Sequence, residues 1–162
     1  MLPKGYGLLK VHKRDVPLRI VISTINNPCD RLATIIYKEL NLCIKKPESH
    51  IDNSFALINK LKDVVLPSDY ILLSLDFTSL FTNITLEVVL NSLERRIRHI
   101  RNTSKIQFGN IIEIVHFLFD NQYFKFGENI FKQIKAMFMC SPSSPLFADM
   151  VMEDCEIECL NI

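Results

Sequence analysis

The chain is 162 residues long, enough for one domain with a real core or for a large piece of one. Hydrophobic residues make up 48% of it and charged residues 23%, which excludes a disordered chain. A formal net charge of +1 excludes a strongly basic, tail-type binder of nucleic acid.

The charge is placed unevenly. Residues 1–38 hold Lys4, Lys10, Lys13, Arg14, Arg19, Arg31 and Lys38 against Asp15 and Asp30. Residues 149–162 hold Asp149, Glu153, Asp154, Glu156 and Glu158 and no Lys or Arg, which reads as an ordinary acidic surface. A basic front end is the footprint of a phosphate-bearing partner, with a plain solvated face as the alternative. The five cysteines are odd in number and scattered. Cys155 and Cys159 share a helical face, but no CxxC pair or Cys/His cluster with zinc spacing exists. Reduced thiols in an intracellular protein, of the nucleus or the cytoplasm, are expected. Lys4 and Lys10 interrupt any signal-peptide core, and no apolar run approaches a membrane span, so no membrane partner is expected.

In chain order, the glycines and alternation before Lys13 predict a short strand near Gly7–His12. Asp15-Val-Pro turns, and the β-branched run Pro17–Ser23 predicts a second strand. The pair would form a hairpin with Lys10, Lys13 and Arg19 near its tip. Leu32, Ile35, Ile36, Leu40 and Cys43 recur at helical spacing, which predicts a helix over Asp30–Ile44 with Asp30 as its cap. Asp52 or Asn53 opens a second helix, with Phe55, Ile58, Leu61 and Val65 on one face and Pro67 closing it.

Tyr70-Ile-Leu-Leu-Ser-Leu-Asp76 follows a turn signal and reads as a strand buried on both faces. It ends on a single carboxylate. Read alone, Asp76 is either a strand-ending cap or an acid delivered to hold a hard cation. Thr85 caps a helix whose inward face is Val88, Val89, Ser92, Leu93 and Ile97. Arg95, Arg96, Arg98 and Arg101 cover the rest, as a solvated face or, alternatively, a nucleic-acid contact. Another helix spans roughly Gln107–Asp120. Gln122–Phe126 and Ile130–Ile134 alternate around Gly127-Glu-Asn129, a hairpin signal. Ser144 as cap and Pro145 at the first helical position open a final helix.

Several of these stretches, in order, resemble a reverse transcriptase, most closely those encoded by Penelope-like retroelements. They are Tyr6-Gly-Leu-Leu-Lys-Val-His-Lys13, Val16-Pro-Leu-Arg-Ile-Val-Ile-Ser23, Leu73-Ser-Leu-Asp-Phe-Thr-Ser-Leu-Phe-Thr-Asn-Ile84, and Tyr123-Phe through Phe131-Lys-Gln-Ile134 leading into Met139–Glu153. The resemblance implies an α+β fold, the fingers and partial palm of a right-hand polymerase, with an antiparallel sheet and packed helices. Residues 1–66 would be fingers and 67–162 palm with inserted helices. The thumb and the hairpin bearing two adjacent aspartates would belong to other parts of a full-length parent.

The implied reaction is templated nucleotidyl transfer, with an RNA template, a DNA primer, dNTPs and two Mg²⁺ ions. Arg19 would hold the triphosphate through its planar fork, with Lys10 and Lys13 adding positive field. Asp76 would be the first catalytic acid and a ligand to both ions, with the Phe77 backbone carbonyl on one of them. Phe81 would stack under the sugar and exclude a 2′-hydroxyl by clash. Met139, Cys140, Ser141 and Pro142 would line the nucleotide pocket, with Gln133 a further contact.

The departures matter as much. The family pattern Gly-Leu-Pro-Met-Gly-Ser-Pro reads here Ala136-Met-Phe-Met-Cys-Ser-Pro142. Two glycines have become Ala136 and Cys140, and a proline has become Phe138. Glycine at such places permits positive φ and close backbone approach. Side chains there should crowd the pocket or cost stability, and with the two adjacent aspartates of the family pattern not among these residues, independent catalysis is not expected. The alternative reading is an inactive, decayed or co-opted remnant that at most binds RNA or template–primer.

Overall fold

The computed structural model describes residues 2–11, 14–25, 27–47 and 49–160. The chain divides into two compact units, Met1–Ile44 with Ser79–Ile162, and Lys45–Thr78. The fold is mixed α+β, with a four-stranded sheet and seven helices among the described residues.

In the first unit, β1 (Lys4–Leu9) and β2 (Leu18–Ser23) pair antiparallel from Lys4↔Ser23 to Leu9↔Leu18. The first strand starts three residues earlier than its alternation suggested. Lys10 N–H donates to the Pro17 carbonyl at 3.0 Å and closes the tip. There Asp15 and Val16 both take positive φ, 64° and 40°. Helix α1 (Pro28–Cys43) begins two residues ahead of the expected Asp30, because Asn27 caps it. Asn27 Oδ1 accepts the Cys29 N–H, and Pro28 occupies a position where no N–H is needed. Its buried stripe is Ala33, Ile36, Leu40 and Cys43, while Ile35 faces out.

The second unit holds α2 (Ser54–Leu61), capped by Asn53 Oδ1 on the Ala56 N–H. None of its residues is buried, so the apolar face Phe55–Ile58–Leu61 stays exposed. The buried strand expected at Tyr70–Asp76 is not there. Residues 71–77 have no regular secondary structure, and Ile71 and Leu75 are 86% and 83% exposed. An apolar run creates a demand for burial, but a strand is held by a neighbour's backbone groups, and the run supplies none of its own.

Back in the first unit, the short turn α3 (Leu80–Asn83) precedes α4 (Leu86–Arg95), which Thr85 caps through the Val88 N–H. Helix α5 (Ile97–Thr103) follows after a break at Arg96, and then α6 (Phe108–Asp120). Strands β3 (Tyr123–Phe126) and β4 (Asn129–Lys132) form the expected hairpin. Gly127, at φ 60°, takes the first position of its two-residue turn, where a side chain would be strained. Helix α7 (Ser144–Leu160) closes the described chain. The sheet order is β2-β1-β3-β4. Each hairpin is antiparallel as expected, but the two join through a parallel β1–β3 contact at Lys4↔Lys125, helped by the Lys125 N–H on the Pro3 carbonyl.

The core is helical. Ile36 and Leu40 of α1, Val89 and Leu93 of α4, Ile111 and Val115 of α6, and Phe147 and Met150 of α7 are buried in one cluster. Among the described residues, no helix is long and apolar enough to cross a membrane.

Arg96 ties this core together. Its guanidinium donates to Glu153, to Asp154 at 2.7 Å, to the Met150 carbonyl at 3.1 Å, and to both the hydroxyl and the carbonyl of Ser92. The side chain is 12% exposed. So Glu153 and Asp154, read from sequence as plain acidic surface, are half-buried partners of a structural arginine. The α4–α5 break is locked onto α7 by this one residue. Arg96→Ala strands both carboxylates and should cost about 3 kcal/mol in urea unfolding. Arg95→Ala, which loses only the exposed pair with Glu158, should leave the unfolding midpoint unchanged.

Glu39 of α1 plays a second joining role. Its Oε1 accepts the Ser104 hydroxyl at 2.9 Å and the Lys105 N–H, fixing the turn from α5 to α6. The Lys105 N–H, then the Ser104 hydroxyl, hold this carboxyl below its ordinary value of 4.5. A depressed carboxyl stabilises fully above its unfolded value and loses that contribution as pH falls through the folded one. Glu39→Gln should therefore lower the unfolding midpoint at neutral pH and flatten its decline below about pH 4.5.

Candidate functional site

The candidate residues fall in both units. Asp76 and Phe77 belong to the second unit, and both are exposed. In the first unit, Arg19 is exposed on β2 and paired in register with Leu8, close to the hairpin tip. Lys10 is half-buried at that tip. Lys13 lies outside the described residues. Phe81 sits on α3 and packs its ring against the helical core. Ser79, φ 57°, sets up that turn, and its carbonyl accepts the Thr82 N–H and hydroxyl.

The most completely built part is the segment from Ala136 to Ser144. Up to Ser143 it is neither helix nor strand, and Ser144 opens α7, yet Ala136, Met137, Phe138, Ser143 and Ser144 are buried. Its polar groups find partners on three sides. From the end of β2, the Thr24 hydroxyl donates to the Cys140 carbonyl at 2.9 Å, and Asp30 Oδ1 lies 3.2 Å from that hydroxyl. From α7, the Ser144 hydroxyl donates to the Phe138 carbonyl at 2.6 Å. It therefore does not cap its own helix, as the sequence suggested; the chain turns at Ser143, whose carbonyl accepts the Phe147 N–H. From the start of β3, the Gln122 amide meets Ala136 and Phe138. Phe138 also sets its ring edge-on to Phe124 of β3, centroids 6.0 Å apart.

Thr24 thus joins two stretches 116 residues apart in sequence. It ends the hairpin that carries Arg19 and grips the segment that carries Met139–Pro142. Arg19 stands five residues up β2, about 17 Å away along an extended strand. Gln133 enters the same region through its N–H on the Gln122 carbonyl at 2.9 Å. A small cavity of about 20 Å³, room for one water, lies among Thr24, Asp30, Gln122, Phe138 and Ser141. Neither Thr24 nor Gln122 carried a sequence signal. Their contacts are long-range, and no local spacing encodes them.

Ala136 has φ 62° and is 4% exposed. It stands at the first of the two positions where the resembling pattern has glycine. The second, Cys140, is not among the positive-φ residues, and its side chain is exposed.

Magnesium prefers oxygen donors in octahedral array, and a two-ion site needs several carboxylates. Asp76 and the Phe77 carbonyl offer few. Among the described residues, no group of three or more His, Cys, Asp or Glu side chains is placed to hold a metal ion. The donors brought together here do not fit a two-ion centre. No protein-family model, curated protein or solved structure matches the chain.

The backbone at Ala136 generates a direct prediction. An alanine in the left-handed region is strained by about 1 kcal/mol or more, and glycine is not. Ala136→Gly should raise unfolding stability by about 1 kcal/mol. A fall in stability would contradict the left-handed backbone.

Proposed function

We propose that this chain is the fingers-and-partial-palm portion of an RNA-directed DNA polymerase resembling those of Penelope-like retroelements. Residues 1–66 correspond to fingers and 67–162 to palm. The partners are an RNA template, a DNA primer and dNTPs. One observation carries the reading. The family pattern has glycine where this chain has Ala136, and that residue's backbone is left-handed and buried. Backbone angle was no part of the residue match, so the agreement supports it independently. The hairpin of β1 and β2, with Arg19 exposed near its tip, is further support.

In this reading Arg19 and Lys10 meet phosphate, Phe81 meets the sugar, and Met139–Pro142 line the base pocket. Asp76 would be one ligand of a two-Mg²⁺ centre only if further carboxylates from outside the described residues joined it. The described residues alone therefore bind rather than catalyse. The second reading is a remnant that holds template–primer without chemistry.

The test is equilibrium binding of a DNA-primed RNA template to the full chain. Counterion release makes the affinity fall about 30-fold between about 50 mM and about 200 mM salt if three phosphates are contacted. Arg19→Ala should weaken binding of the matching dNTP to that complex and spare the template–primer itself. No binding at low salt would sink the proposal. Primer extension should be undetectable for wild type and Asp76→Ala alike, and measurable extension at the same rate by both would remove the role given to Asp76.

A further inference from the structure

Gln122 stands where α6 gives way to β3 and is 4% exposed. Both ends of its amide are used. Nε2 donates to the Ala136 carbonyl at 2.7 Å and to the Phe119 carbonyl at 3.3 Å. Oε1 accepts the Phe138 N–H at 2.7 Å. One side chain therefore grips the backbone on either side of Met137, and it does so where water has no access to replace it. A buried amide or carbonyl left unpaired is more costly than a left-handed alanine, so the clamp can hold Ala136 at φ 62°.

The bond to Phe138 depends on that residue having a backbone N–H. The resembling pattern has proline at that position, and proline has no N–H to give. The exchange to Phe138 thus supplies a donor that Gln122 captures, and a ring that packs on Phe124. Immediately beyond lie Met139 to Pro142.

We infer that Gln122 is a positioning residue. It fixes the left-handed turn at Ala136 and thereby aims the Met139–Pro142 backbone. What that backbone touches rests on the polymerase reading above; the clamp itself does not.

The test replaces Gln122 with Met, matched in length and without hydrogen-bonding polarity. Positive φ brings a residue's amide and α protons close, so wild-type Ala136 should give a strong intraresidue NOE. In Gln122→Met that NOE should weaken while methyl signals of Val89 and Ile111 stay in place. Tightening of primed-template binding by the matching dNTP should fall about tenfold. Adding Ala136→Gly, which accepts positive φ without a clamp, should restore it. A weak NOE in wild type, an unchanged NOE in Gln122→Met, or a loss that Ala136→Gly does not rescue would each overturn the inference. If Met at 122 unfolds the chain, Gln122→Glu takes its place. It still accepts the Phe138 N–H but repels the Ala136 carbonyl, and the same NOE change is expected. Absence of any dNTP effect in wild type would defeat the polymerase reading, and the NOE alone would then decide the clamp.

Discussion

Buried backbone polar groups must find partners, and that constraint shapes the first unit more than any other. The segment from Ala136 to Ser143 is largely buried without being helix or strand, so no ladder of its own satisfies it. Three side chains from three elements supply what is missing: Thr24 after β2, Gln122 before β3, and Ser144 at the head of α7. No buried side-chain nitrogen or oxygen among the described residues lacks a hydrogen-bond partner. The segment therefore acts as a keystone. The hairpins, α6 and α7 all meet it, and the helical core of α1, α4, α6 and α7 stands behind.

The same logic governs the joints between helices. Arg96 sits where α4 ends and α5 begins, and Glu39, inside α1, reaches across to the turn where α5 ends and α6 begins. Helix termini leave backbone groups unsatisfied, and a charged side chain from a neighbouring element can meet several at once. Arg96 binds a carbonyl and two carboxylates of α7, while Glu39 receives an N–H and a hydroxyl from the α5–α6 turn. Glu39 thus does across the fold what a cap does locally, while Arg96 meets the Ser92 carbonyl in the last turn of α4 and clamps the middle of α7.

That division explains what could be read from sequence. Helices α1, α4, α6 and α7 were legible because their apolar residues recur at the helical period, and Gly127 announced the β3–β4 turn. The Thr85 cap was legible for the same local reason. Arg96 was not, because it is one of four arginines between residues 95 and 101 and only its tertiary partners single it out. Gln122 was not, because its targets lie 14 and 16 residues away across a hairpin. The run Tyr70–Asp76 misled in the opposite direction. Its apolarity was a true signal, but apolarity alone does not provide a strand with a neighbour. Of the candidate site, the Met139–Pro142 segment and Arg19 were found from residue pattern, and the side chains that hold the former were not.

The central claim is that a buried, irregular segment is held in one conformation by side chains of distant elements. Amide hydrogen exchange at Phe138 in the intact chain tests it most directly, because among the described residues that N–H is held by Gln122. Protection approaching that of Val115, in the middle of α6, is the predicted result. Exchange at Phe138 near the rate of an unstructured chain, with Val115 still protected, would contradict it.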